Sequence, residues 1–392
     1  MTLRMKLDAT LSAVVLALST SGTVYAQDKQ PSWAFTAAYT ADIISVDAGN
    51  RSADWRALDN LDLVLDADLE RLAGWRGARV HGAVLVNNGG EPNALAGTLQ
   101  GIDNIEVGDD AVRLFELWIE QDFADGRASL RAGLYDLNSE FYATDAAGLL
   151  ISPPFGIGSE LAATGTGGPS IFPSTALAAR LRVGGEDGGY GQIAAFNAQA
   201  STLGDPDGID TDFDEGALLI GETGWNGPTR VAVGAWRYDQ SQDDIRALAP
   251  DGSPARSEAQ GVYALAETDL FRTPSGGEAR GFLRVGLSDG DTTDFSGGWQ
   301  AGFLWNQVFA SRPDSQFSVG LHEGLLSTKA QANLRDGGDR AASAEQGLEI
   351  TYSDRIGPLT VQPDLQLIRN AGGLRSADTV VVVGLRVSVA LD

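Results

Sequence analysis

The sequence predicts an all-β fold, a transmembrane antiparallel β-barrel of about 16 strands with short periplasmic turns and long extracellular loops. Three observations predict it. Apolar residues recur every second position over segments long enough to cross a bilayer when tilted. The alternate positions carry arginines and carboxylates where the core of a soluble sandwich would be apolar. The connections alternate between long polar stretches and short ones rich in Gly, Pro and Asp.

Sixteen segments fit, near 33–46, 58–69, 77–87, 112–123, 127–136, 175–184, 189–198, 213–224, 228–240, 259–272, 279–288, 296–308, 314–326, 346–353, 358–369 and 378–391. The second fits two patterns. Leu58, Leu61, Leu65, Leu69 and Leu72 suit a helix face, while Leu61, Leu63, Leu65, Ala67 and Leu69 suit a strand. Strand is the better reading, because an even count closes an antiparallel barrel with both ends on one side. In the fifth, Leu130, Ala132 and Leu134 oppose Ser129, Arg131, Gly133 and Tyr135. In the sixth, Leu177, Ala179, Leu181 and Val183 oppose Ala176, Ala178, Arg180 and Arg182. In the ninth, Val231, Val233 and Ala235 oppose Arg230, Ala232, Gly234 and Trp236. In the eleventh, Leu283, Val285 and Leu287 oppose Phe282, Arg284 and Gly286. In the last, the odd positions from Val381 to Leu391 are apolar and oppose Gly384, Arg386, Ser388 and Ala390.

Composition narrows the function. The chain has 392 residues, 49 of them Gly, and a formal net charge of −25. That charge argues against nucleic acid as a partner, since such proteins present a basic surface. There is no cysteine, which excludes disulfides, a thiol nucleophile and a Cys-ligated metal. Only His81 and His322 are available for histidine chemistry. Arg4 and Lys6, the apolar run Leu11–Leu18 and the small residues Val24 and Ala26 predict a signal peptide over 1–26, cleaved after Ala26. Residues 27–392 then form one barrel domain.

A wide barrel encloses water, so its inward face can be charged. In this register that face carries Arg79, His81, Glu116, Glu120, Arg131, Arg180, Arg182, Arg230, Trp236, Arg284, Glu349, Gln362, Asp364, Gln366 and Arg386. A guanidinium can bridge neighbouring hydroxyls, carboxylates accept from them, and an indole can cover the C–H face of a pyranose. Arg131, Arg180, Arg182, Arg230, Trp236, Arg284, Glu116, Glu120 and Arg386 are therefore the candidate pore-lining residues for a polyhydroxylated solute. Any one of them could equally hold its neighbours in cross-strand ion pairs. The third of the long connections, 137–174, is too apolar to extend into water, with Leu149, Leu150, Ile151, Phe155, Ile171 and Phe172. It is expected to fold into the barrel and narrow the pore.

Several tracts carry a family resemblance. LDLVLDADLERLAGWRGARVHGAVLVNNGG (61–90) resembles the early strands of the carbohydrate-selective (OprB-type) outer-membrane porins. So do LFELWIEQDFADGRASLRAGLYDLNSEF (114–141), GPSIFPSTALAARL (168–181), AQGVYALAETDLF (259–271), ARGFLRVGLSDG (279–290) and the closing LTVQPDLQLIRNAGG…VVVVGLRV (359–387). The resemblance implies a sixteen-stranded barrel in the bacterial outer membrane. It also implies passive passage of small sugars through an arginine-lined, loop-constricted channel, with no cofactor and no covalent chemistry. Small sugars and outer-membrane lipid are then the partners; monomer and trimer both remain open.

Competing readings are weaker. Gly286-Leu287-Ser288-Asp289-Gly290 matches G-x-S-x-G, but a strand runs into a loop where a nucleophile elbow needs a helix. Asp205, Asp207, Asp210 and Asp212 have calcium-like spacing, yet depart from the EF-hand pattern and read better as a solvated acidic loop. The alternative function is a general or cation-preferring diffusion channel, since acidic loops raise the cation concentration at a mouth.

Overall fold

The computed structural model describes residues 31–49, 53–165, 167–185, 187–274 and 276–391. The predicted signal peptide lies outside them. The body Ser32–Asp392 is one closed barrel of sixteen strands, every neighbouring pair antiparallel. The wall runs β1 (Trp33–Asp47), β2 (Asp54–Asp68), β3 (Ala78–Gly89), β4 (Ala111–Phe123), β5 (Ala128–Tyr135), β6 (Ala176–Gly184), β7 (Gly188–Asn197), β8 (Ala217–Asn226) and β9 (Thr229–Tyr238). It continues through β12 (Gln260–Arg272), β13 (Glu278–Ser288), β14 (Phe295–Asn306), β15 (Gln316–Leu326), β16 (Ala344–Ile356), β17 (Leu359–Arg369) and β18 (Val380–Leu391), which closes on β1.

The period-two pattern sets the faces. Leu181, Ile193, Val233, Leu287 and Val383 point outward and stay exposed, as a lipid-facing band requires. Trp33, Trp75, Phe123, Trp225, Phe271 and Phe309 are exposed at the short-turn end, forming one aromatic girdle. The ambiguous Leu-rich segment is a strand, as expected. It is strand to Asp68, whose carboxylate accepts from the amides of Glu70 and Arg71 and starts the one-turn helix α1 (Leu69–Ala73).

The long connections contain more structure than the sequence pattern predicted. A hairpin of β10 (Gln242–Leu248) and β11 (Pro254–Ser257) forms in the fifth, where only loop was expected. Its segments are short and polar, so the alternation did not register. β8 begins at Ala217 rather than 213, since the acidic run before it lacks a strand face. A helix of nine residues, α2 (Thr328–Asp336), fills the seventh and is capped by the Ser327 hydroxyl.

The apolar core lies inside the barrel, between the wall and the third connection. Leu137, Phe141, Tyr142 and Leu161 are fully buried against Phe196, Leu218, Ile220 and Tyr263 of β7, β8 and β12. Phe155 sits on Gly320 of β15, where an added Cβ would lie 2.4 Å from the ring. Gly320→Leu should therefore expel this part of the connection while leaving the sheet intact. Chymotrypsin should then cut after Phe155 in the folded variant and spare the parent chain.

Candidate functional site

Irregular backbone buried inside a barrel must find partners for its N–H and C=O groups. The wall supplies them. Glu349 of β16 accepts from the amides of Ile151 and Ser152 at 2.5 and 2.8 Å. Glu267 of β12 accepts from Ala146 N–H at 2.7 Å, and Glu222 of β8 from Tyr142 N–H at 3.0 Å. Carbonyls are met from the other sign of charge. Arg284 of β13 donates to the oxygens of Tyr142, Gly156 and Pro154 at 3.0, 2.5 and 2.7 Å. Gln362 of β17 donates to Leu149 O at 2.7 Å. The third connection is thus bound along the inner wall by side chains that look, in the sequence, like pore lining.

The second long connection, 88–111, is also held inside, which the sequence reading did not anticipate. Glu345 accepts from the amides of Leu99, Gln100 and Gly372, and Gln366 donates to Ile102 O at 2.8 Å. Ile102 is fully buried among Ile44, Leu58, Ile368 and Val382. The two connections touch, with Ser159 Oγ donating to Gln100 Oε1 at 2.9 Å. The apolar positions Leu95, Leu99, Ile102 and Ile105 carried the same signal that flagged the third connection. Near its start, Glu106 accepts from Asn93 N–H. Burial pushes Glu106 up to about 7, the Asn93 amide opposes this, and Glu91 adds to it. A carboxyl raised in the folded state costs stability as pH rises from its unfolded value through about 7. The 93–106 segment should therefore exchange amide protons faster near pH 8 than near pH 5, beyond the intrinsic pH effect. Glu106→Gln should remove that excess in a hydrogen-exchange experiment.

The inward charges divide into two sets. Arg284 is 0% exposed, Arg180 and Glu120 1% and Trp236 3%. These four point inward as expected, but their burial keeps them from lining the channel: Arg284 is bound to the inserted connection, Arg180 and Glu120 belong to an ion-pair ladder in the wall, and Trp236 packs in the apolar core. Arg131 is only slightly less buried, at 9%. The register explains the arrangement of three of them. Arg79, Glu120, Arg131 and Arg180 are direct cross-strand partners on β3, β4, β5 and β6. Glu120 accepts from all three guanidiniums at 2.6, 2.6 and 3.1 Å, and Glu140 binds Arg180 at 2.7 Å. Arg131 lies 3.7 Å over the Trp118 ring, whose other neighbour is the stacked His81.

The second set keeps partial exposure. It comprises Arg79, His81, Glu116, Arg182, Arg230 and Arg386. His81 lies 2.8 Å from Asp66 and 3.3 Å from Glu116. Arg182 donates to Gln192 at 2.8 Å, and Arg230 lies 3.3 Å from Glu267. Arg386 grips Asp42 with two nitrogens and reaches Asn104 at 2.7 Å and Asp103 at 3.4 Å. Asp42, Asp66, Asp103 and Asn104 were not singled out in the sequence. Arg386 thus joins the inserted second connection to the barrel seam, which local patterning does not reveal.

The remaining candidates stand apart. Asp205 is bound by Arg113 at 2.7 Å and by the amide of Thr202, and Asp207, Asp210 and Asp212 do not converge on it. Among the described residues no group of three or more His, Cys, Asp or Glu side chains gathers to hold a metal. Ser288 donates to Phe295 O at a strand end, with no helix following it.

Known proteins share this barrel fold. A family model described as carbohydrate-selective porin, OprB family, matches residues 52–391. Porin B of Pseudomonas aeruginosa is 22% identical over 376 residues, covering 85% of this chain and 81% of its own. The high-pH structure of Pseudomonas putida OprB superposes with a TM-score of 0.81 at 19% identity, covering 92% of this chain and 94% of its own. An anion-selective porin from Comamonas acidovorans reaches 0.56 at 12% identity, covering 92% and 99%.

Proposed function

This chain belongs to the carbohydrate-selective porin, OprB family, a family of bacterial outer-membrane channels rather than enzymes, and from that we propose that small sugars diffuse passively through its arginine-bearing lumen. One observation carries the finer part of this reading. The inward groups that keep exposure include donors and acceptors side by side: Arg79, His81, Glu116 and Asp66 on one stretch, and Arg386 with Asn104 on another, where buried Asp42 braces the guanidinium. Guanidinium forks next to carboxylates can exchange water for sugar hydroxyls on both sides of a ring without a net charge requirement. The 137–174 connection and the tip of the second connection act together as the constriction. No step of this transport involves bond making, so selectivity rests on size and on hydroxyl pairing.

The test is a liposome-swelling assay with glucose, a disaccharide and an amino acid close to glucose in size. Glucose should enter much faster than the amino acid, and Arg386→Ala should narrow that difference. Equal rates for glucose and the amino acid in the parent chain would make it a general diffusion channel.

A further inference from the structure

The outer wall has a furrow that sugar passage does not use. Across β5–β9, β12 and β13 the lipid-facing surface is hollowed to about 940 Å3. Its lining mixes small residues, Ala195, Gly221 and Ala235, with larger ones such as Leu181, Ile193, Leu219 and Val262. A second hollow of about 610 Å3 shares Leu181, Ile193, Gly221 and Ala235 and extends the furrow towards the aromatic girdle. Its upper end lies at the extracellular ends of β9 and β12, where Arg237 pairs in register with Gln260. Arg237 points outward and is exposed, and among the described residues its side chain has no hydrogen bond or ion pair. The nearby carboxylates are engaged elsewhere. Asp239 accepts from Ala217 N–H, Asp289 from Gln260 N–H and Glu258 from the Gln260 amide.

We infer that this furrow seats one acyl chain of a phosphorylated glycolipid of the outer leaflet, with a lipid phosphate on Arg237. The charge supports this occupant over others. A chain of net charge −25 repels an anionic leaflet in general, so an outward cation at headgroup height directly above the furrow marks the place where a phosphate is attracted. The hollow directly below is apolar and concave, and it runs in the direction an acyl chain takes from that headgroup. Arginine suits a phosphate better than lysine, because its fork can meet two oxygens.

The experiment uses the full mature barrel in detergent, with hexa-acylated lipid A as the probe and native mass spectrometry as the readout. One lipid A should stay bound per barrel. Arg237→Ala should weaken retention about fivefold, the loss expected for one cation at an anionic surface. Gly221→Leu should weaken it as well. Its new Cβ would be 3.5 Å from Ile193, an ordinary contact, so the variant fills the furrow without straining the wall. Arg369→Ala removes another outward arginine, at the extracellular end of β17 and away from the furrow, and should change nothing. Glucose swelling at the parent rate shows that the variants are folded. Unaltered retention in Arg237→Ala and Gly221→Leu overturns the assignment. So does equal, equally sensitive retention of phosphatidylglycerol, which would make the source a phospholipid. Paired barrels that exclude lipid would assign the furrow to a second copy and overturn it too.

Discussion

Arg284→Ala should widen the channel and raise single-channel conductance by about a factor of two or more, since the segment that narrows the lumen loses its main anchor. The guanidinium holds carbonyl oxygens from two separate stretches of the third connection, Tyr142 on one and Pro154 with Gly156 on the other. Hydrogen bonds to a charged donor are worth roughly 1.5–3 kcal/mol each, and buried carbonyls left without partners add their desolvation. Several kcal/mol favouring the inserted state would be lost, while the sheet ladders of β13 with β12 and β14 remain. Arg284→Lys should give an intermediate conductance, because an ammonium cannot span the same oxygens with a planar fork. Arg182→Ala is the control. That side chain is bonded to Gln192 and lies over Tyr190, without touching the third connection's carbonyls. Planar-bilayer recordings of the three variants, with chymotrypsin cleavage after Phe155 as a second readout, decide the matter. Parent-like conductance and protection in Arg284→Ala would show that packing alone retains the segment.

The strands and their faces were legible because period two is a local property. Each strand's apolar phase, such as Leu177, Ala179, Leu181 and Val183, is read within a few residues. What lies over the polar phase is not local. Arg131 and Arg284 have similar sequence surroundings, small and aliphatic neighbours on an alternating strand, yet one joins an ion-pair ladder and the other holds a buried backbone. The deciding partners are distant in sequence. Glu349 accepts from Ile151 at a separation of 198 residues, and Glu345 from Leu99 at 246. A charged side chain on an inward face therefore announces a demand for a partner, but the sequence does not say whether a solute, a neighbour or a loop amide meets it. The apolar content of 137–174 was the one usable hint, and the same hint in 88–111 went unused.

Glu120 is the position where removing one charge should cost the barrel most. Its carboxylate is 1% exposed and takes Arg79, Arg131 and Arg180 from three strands. Removing one partner of a buried pair strands the other charge, at roughly 3–5 kcal/mol. Glu120→Gln keeps the shape and leaves three guanidiniums with less counter-charge, so a loss of about 3 kcal/mol is expected. The urea midpoint, followed by the gel shift between folded and unfolded chain, should fall accordingly. Arg79→Ala is predicted to cost less than about 1 kcal/mol, although it breaks an equally short bond, because half of that side chain is already in water. Adding Arg180→Met to Glu120→Gln should restore part of the stability, since it removes the surplus cation with the least access to water. The single variant should also shift salt-gradient reversal potentials towards anions, because the ladder's surplus positive charge acts on the adjoining lumen. A parent-like urea midpoint in Glu120→Gln would mean that Glu140 alone compensates the arginines and that the register-matched ladder is not what holds β3 to β6 at this level.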